Sequence, residues 1–121
     1  MSELSESQLL YLLTIDELSQ TYPSVQRIQI AVALGYSKAS VTHAMQVLEQ
    51  LDMITIFGRN IQLSKKGQLV VLQANQRYDC IKKLLVEHQF TKLEAELYAK
   101  KLFYCMDEAF LQRLWDIHNT D

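Results

Sequence analysis

The residues best equipped for chemistry lie in one run, Ser37 to Lys66, SKASVTHAMQVLEQLDMITIFGRNIQLSKK. Lys38, Ser40, Thr42, His43 and Gln46 bring an ammonium, two hydroxyls, an imidazole and an amide together over a short stretch. Between them Val41, Ala44, Met45, Leu48 and Leu51 recur at the i, i+3, i+4, i+7 spacing of one helical face. Ser37 is a natural N-cap for that helix. The polar groups therefore share the opposite face near the helix N-terminus, where a helix laid in a DNA major groove touches base edges and phosphates.

The elements that must hold this face can be read on either side. After Asp52 the period changes: Met53-Ile54-Thr55-Ile56-Phe57 is β-branched and aromatic, and Ile61-Gln62-Leu63 alternates apolar with polar. Gly58-Arg59-Asn60 is the expected turn of this hairpin, with Arg59 and Asn60 held outward toward a phosphate or a minor groove. Upstream, Tyr22-Pro23-Ser24 breaks the chain. Ser24 is expected to cap a helix through Leu34 that Gly35 ends. Its core contacts are expected to be Ile28, Val32 and Leu34. Arg27 on this helix reads equally as a phosphate contact or as a solvated surface arginine. Helix, Gly-Tyr-Ser-Lys turn, helix and hairpin together predict a winged helix-turn-helix.

The rest of the chain is helical in pattern. Ser5-Glu6-Ser7-Gln8 has capping-box spacing and opens a helix to about Leu18 that is apolar almost all round, so it needs cover on both sides. A long helix is expected from Lys65 to Glu87, with Leu69, Leu72, Cys80, Ile81, Leu84 and Leu85 for packing and a polar middle at Gln73 to Arg77. Thr91-Lys92-Leu93-Glu94 is a second capping box, followed by the stripe Ala95, Tyr98, Ala99, Leu102, Phe103 and Met106. Asp107 can cap a final helix bearing Phe110, Leu111, Leu114 and Trp115, with a frayed tail past Ile117. Two short amphipathic helices make a poor core alone. A two-fold homodimer is therefore expected, with Phe103, Phe110 and Trp115 as candidate anchors, each of which also suits an intrachain core. The predicted fold class is mainly α, with a winged helix-turn-helix DNA-binding domain at 1-66 and a helical dimerisation domain at 67-121.

Composition bounds the rest. The 121 residues are 49% hydrophobic with one Pro and three Gly, enough for one or two small cores without staples. Cys80 and Cys105 sit within helical patterns and read as buried free thiols of a reducing cytosol. No apolar run is long enough for a bilayer span and no signal-peptide pattern opens the chain, so a cytoplasmic protein without membrane association is expected. The net charge of −2 argues mildly against nucleic acid. The distribution softens this, since Lys38, Arg59, Lys65 and Lys66 fall in the reading head and its exit, opposed there by Glu49 and Asp52. Glu3, Glu6, Asp16 and Glu17 cluster in the first helix. No nucleophile-base pairing, phosphate-binding glycine loop or acid pair indicates an enzyme.

With these elements in place the chain resembles the iron- and manganese-dependent repressors, the diphtheria-toxin-repressor and manganese-transport-regulator family. The carrying residues are Ala31 to Thr42, the wing exit Ile61 to Gly67, and Glu94-Ala95-Glu96 through Met106-Asp107-Glu108. The resemblance covers about Glu6 to Trp115 and stops before the further C-terminal domain of longer members. It implies a homodimeric repressor of double-stranded DNA whose heads are set by a divalent metal held between the first, long and following helices. Ungapped matching puts the ligand positions on Leu10, Leu13, Tyr78, Ala99, Leu102 and Phe103, none a family ligand. Aliphatic side chains donate nothing to a metal, so the expectation is a member without metal or other cofactor whose former site has become apolar core.

His43, His88 and His118 are scattered, and Asp79, Cys80, Glu96 and Cys105 show no metal-finger spacing. His43 reads as a base or phosphate contact. Two other readings stand beside DNA binding without metal. One is a winged-helix module that docks a protein instead of DNA. The other is a repressor answering a small organic effector or Cys80/Cys105 oxidation.

Overall fold

The computed structural model describes residues 4–118, without the side chains of Glu108, Leu111, Trp115 and His118. The chain divides into two compact units, the first ending at Val71 and the second beginning at Leu72. The winged helix-turn-helix plus helical region predicted from the pattern is the architecture observed.

The first unit is built on three helices and a hairpin. Helix α1, Glu6–Ser19, opens with the predicted capping box: Gln8 N donates to Ser5 Oγ at 3.2 Å and Ser5 N donates to Gln8 Oε1 at 3.0 Å. It buries Tyr11, Leu12 and Ile15. Helix α2, Arg27–Leu34, is followed by Gly35 in the left-handed region at φ 69°. Helix α3, Lys38–Gln50, is capped by Ser37, whose Oγ accepts from Ser40 N at 3.1 Å. Val41, Met45 and Leu48 on α3 are fully buried. Asp52, at φ 61°, turns the chain out of α3 into the hairpin; Asp is among the residues that tolerate this region.

Strands β1, Ile54–Phe57, and β2, Asn60–Leu63, pair antiparallel with Ile54 opposite Leu63 and Phe57 opposite Asn60. The turn is thus the two residues Gly58 and Arg59. Only Gly58 has positive φ, the pattern of a type II′ hairpin turn. Asn60 is not a turn residue, as the sequence suggested, but the first residue of β2.

Two expectations for α2 are corrected by one long-range contact. Val25 forms a bridge with Ile61, whose N donates to Val25 O at 2.8 Å. This holds Val25 extended and buried, so α2 starts at Arg27 and Ser24 lies too far upstream to cap it. Instead the Gln29 side chain accepts from Gln26 N at 2.9 Å, and the Ser24 hydroxyl donates to Asn60 Oδ1. The inward stripe of α2 then becomes Arg27, Ile30, Ala31 and Leu34. Ile28 and Val32, expected inside, are 53% and 75% exposed.

Helix α4, Lys65–Glu87, runs through both units. Ser64 caps it: its Oγ accepts from Gly67 N at 3.0 Å and donates to Asp52 O at 2.6 Å. Its buried residues are Val71, Ala74, Cys80 and Ile81, whereas Leu69 and Leu72, expected to pack, are exposed. The stripe passes through small residues, Gly67 and Ala74, that a search for large apolar side chains overlooks.

In the second unit, α5, Lys92–Cys105, has its predicted Thr91–Glu94 capping box, and α6, Glu108–His118, starts where Asp107 Oδ1 accepts from Phe110 N at 2.7 Å. Ala95, Ala99 and Phe103 of α5 are buried, as are Cys80 and Ile81 of α4. Tyr98, expected in the buried stripe, is exposed and meets Phe90 edge-on at 6.4 Å. The tail beyond His118 lies outside the described residues. Among those described, no helix is long and apolar enough to cross a membrane.

Candidate nucleic-acid interface

Helix α3 presents the predicted polar face. Lys38, Ser40, His43 and Gln46 are exposed while Thr42 is half-buried. The first turn carries no acidic residue, so the positive end of the helix dipole is left uncompensated where an anion would sit. Ser37 is committed to capping, and its hydroxyl also donates to Ser40 Oγ at 2.9 Å. These two hydroxyls therefore position the helix start as well as lining it. Among the described residues neither Lys38 nor Arg59 has an ion-pair partner.

The wing brings a second set alongside in sequence and sheet register. Arg59 is exposed at the tip. Asn60 is exposed but tethered by Ser24, which leaves its amide nitrogen to donate. Arg27 is neither a free surface arginine nor wholly buried. Its stem lies on the inward stripe of α2, and its Nε is buried without a hydrogen-bond partner among the described residues. Lys66, counted among the basic groups of the head, reaches back to Leu51 O at 3.4 Å, just past the end of α3, where a cation is favourable.

Two residues in this unit escaped the sequence reading. Phe57, 65% exposed, stands on the outer face of the wing. Strict alternation along β1 marks it as outward, since Ile54 is buried and Ile56 packs on the core. Gly67 is required by a close approach: a Cβ there would overlap the Met53 carbonyl.

The positions matched to the family's ligands divide between the units. In the first, Leu13 packs on the core and Leu10 is half-buried. In the second, Ala99 is fully buried, and Phe103 is packed edge-on against Tyr78 at 6.4 Å and Tyr104 at 5.2 Å. The Tyr78 hydroxyl donates to Glu96 O at 2.9 Å, and the Lys82 ammonium lies 4.7 Å from the Tyr78 ring centre. Burial holds the Tyr78 phenol above its ordinary range, with Asp79 and Glu96 adding to this and Lys82 opposing it. Phenolate formation, which metal ligation would require, is thereby disfavoured. Two leucines, an alanine, a third leucine, a phenylalanine and a protonated phenol do not fit a hard divalent ion.

The two thiols differ. Cys80 is buried and Cys105 exposed, a correction to the expectation that both are inside. Burial raises the Cys80 thiol, with Glu87 adding and Lys83 opposing, so it is a poor nucleophile. Of the expected dimer anchors, Phe103 is spent within its own unit and Phe110 is half exposed. Trp115's side chain lies outside the described residues. Two leucines not singled out in the sequence, Leu93 and Leu97, are 78% and 52% exposed one turn apart on α5.

No family model and no curated protein matches the chain. Solved structures do. The hypothetical protein SSo2273 from Sulfolobus solfataricus superposes with a TM-score of 0.78 at 22% identity, over 98% of this chain and 92% of that one. ScaR with bound Zn2+ gives 0.81 at 22% identity, over 94% of this chain and 54% of its own. The manganese regulator SloR gives 0.70 at 25% identity, again over 94% and 54%. The chain spans about half the length of these last two regulators. Its winged head and the helices that follow it thus have the fold of the iron- and manganese-dependent repressors, the diphtheria-toxin-repressor and manganese-transport-regulator group.

Proposed function

We propose that this protein is a DNA-binding transcriptional regulator, a repressor acting as a homodimer, that holds its binding-competent form without the metal its fold relatives use. The observation that carries the reading is the outer face of α3. Lys38, Ser40, His43 and Gln46 stand exposed at an uncompensated helix N-terminus, in the same unit as Arg59 on a wing, which has no ion-pair partner among the described residues. Lys38 and Arg59 contact phosphate, Gln46 and His43 read base edges, and Ser37, Ser40, Thr42, Asn60 and Arg27 set the register. The modest charge of the head makes a pair of heads necessary for useful affinity. Of the expected anchors Phe110 remains exposed for pairing two copies, and the exposed Leu93 and Leu97 on α5 offer further apolar surface for it. The apolar set at Leu10, Leu13, Ala99, Leu102 and Phe103, with Tyr78, supports metal independence.

The test is selection of duplexes from a random pool by purified protein at low salt with chelator, followed by anisotropy titration. Enrichment of a two-fold related sequence supports the reading. Absence of binding at any accessible concentration rejects it.

A second reading is favoured by the exposed Ile28 and Val32 on α2 and the net charge of −2: a winged helix that docks a protein. An organic effector finds limited support in a cleft of about 380 Å³ between α4 and α5, where Lys82, Lys83 and Lys92 are matched by Asp79, Glu87 and Glu96. The buried Cys80 gives oxidation little support.

A further inference from the structure

The register of the wing sorts its side chains cleanly. Residues opposite each other in an antiparallel pair point to one side, so Thr55 with Gln62 and Phe57 with Asn60 share the outer face. Ile54, Ile56, Ile61 and Leu63 share the inner face and belong to the core of the head. Phe57 is thus a single large aromatic ring ringed by a hydroxyl and two amides, immediately before the tip that carries Arg59. The run Ile54 to Leu63 contains no acidic residue, in a chain whose net charge is −2. An apolar face made for a protein partner would extend beyond one ring. This face has the composition of a surface that enters a nucleic-acid groove, with hydrogen-bonding groups, a cation and one apolar body.

We propose that the wing tip is a minor-groove wedge. With α3 in the major groove, Phe57 presses against the sugars and base edges of one flanking step and partly unstacks it. Arg59 meets the adjacent phosphates, and Asn60 and Gln62 donate to the minor-groove acceptors. Pyrimidine–purine steps, TA and CA, unstack most easily, so the wedge selects such a step outside the bases that α3 reads. The Ser24 hydroxyl donates to Asn60 Oδ1, which steadies the residue opposite Phe57. The proposal rests on the DNA-binding reading above and adds to it a specificity-determining residue that is not on the recognition helix.

The test uses the full chain and a duplex selected as described above, with 2-aminopurine scanned through the flanking steps. Wild-type protein is expected to raise 2-aminopurine fluorescence at one flanking step, and Phe57→Ala is expected to abolish that rise and weaken binding about tenfold. Phe57→Trp should retain both, and replacing the flanking TA or CA step by GC should cost wild type more than the alanine variant. Phe57 is exposed, and circular dichroism of the variant checks that the head is folded. Tight wild-type binding with no fluorescence change and no effect of Phe57→Ala overturns the wedge while leaving DNA binding standing. A loss of dimer with unchanged affinity per head overturns it in favour of a protein contact. Failure of wild type to select any duplex defeats the underlying reading and the wedge with it.

Discussion

Gly67 lies so close to Met53 that a Cβ on the glycine would overlap the Met53 carbonyl oxygen. The same carbonyl accepts from Ser64 N at 3.0 Å, so the segment leaving α3 and the first turn of α4 are locked together behind the wing. Gly67→Ala must displace backbone, not a flexible side-chain end. The expected loss is about 1–3 kcal/mol of stability, the usual cost of overpacking, read as a lower urea midpoint at unchanged slope. Unchanged stability would show that this junction can yield.

Tyr78 gives a second prediction, in alkaline solution. Burial raises the phenols of Tyr78 and Tyr11 above the ordinary value of 10.0, with Tyr36 adding to the effect on Tyr11. A raised acid holds its proton longer in the folded chain than in the unfolded one. Above that ordinary value the native state therefore binds more protons, and stability falls as pH rises through the folded pKa values. Below it these groups contribute no pH dependence. Absorbance titration of the six tyrosines should show a late-ionising fraction that disappears in denaturant, and Tyr78→Phe should shrink it.

The proposed recognition head predicts separable effects on DNA binding. Lys38→Ala and Arg59→Ala should each reduce the slope of log affinity against log salt by about 1 and weaken binding to all sequences alike. Gln46→Ala should instead change which base is preferred at one position in each half-site. A Lys38/Arg59 double alanine variant that binds as well as wild type would remove the assignment of this surface.

Dimerisation is tested on α5. Leu93 and Leu97 are exposed, so Leu93→Glu with Leu97→Glu leaves the helix content intact while placing charge in the proposed contact. Sedimentation should move from dimer to monomer, and binding to a two-half-site duplex should fall by a factor of about 100 or more with the loss of avidity. An unaltered dimer would place the interface elsewhere.

The parts legible in the sequence were those decided locally. Ser5 with Gln8, Ser37 with Ser40, and Thr91 with Glu94 are short-range caps, and each helix starts where these residues put it. The face of α3 followed from its period for the same reason. The phase of α2 did not, because Val25 is taken into a bridge with Ile61, far along the chain, and Ile28 and Val32 turn outward in consequence. The inward stripe of α4 was hidden because Gly67 and Ala74, not Leu69 and Leu72, make its close contacts. In sequence Phe57 reads as one more apolar strand residue, although alternation from the buried Ile54 points it outward. Exposure of Leu93 and Leu97 depends on which α5 face α4 covers, and no local pattern states that.

The central claim is that DNA binding here does not depend on a metal. The direct measurement is the affinity of the purified protein for its selected duplex, first with excess chelator and then with manganese, iron(II) or zinc at micromolar concentration. One dissociation constant throughout and no stoichiometric metal uptake by calorimetry are the expected results. Binding that appears only with a divalent ion, accompanied by uptake of one or more ions per chain, would contradict it.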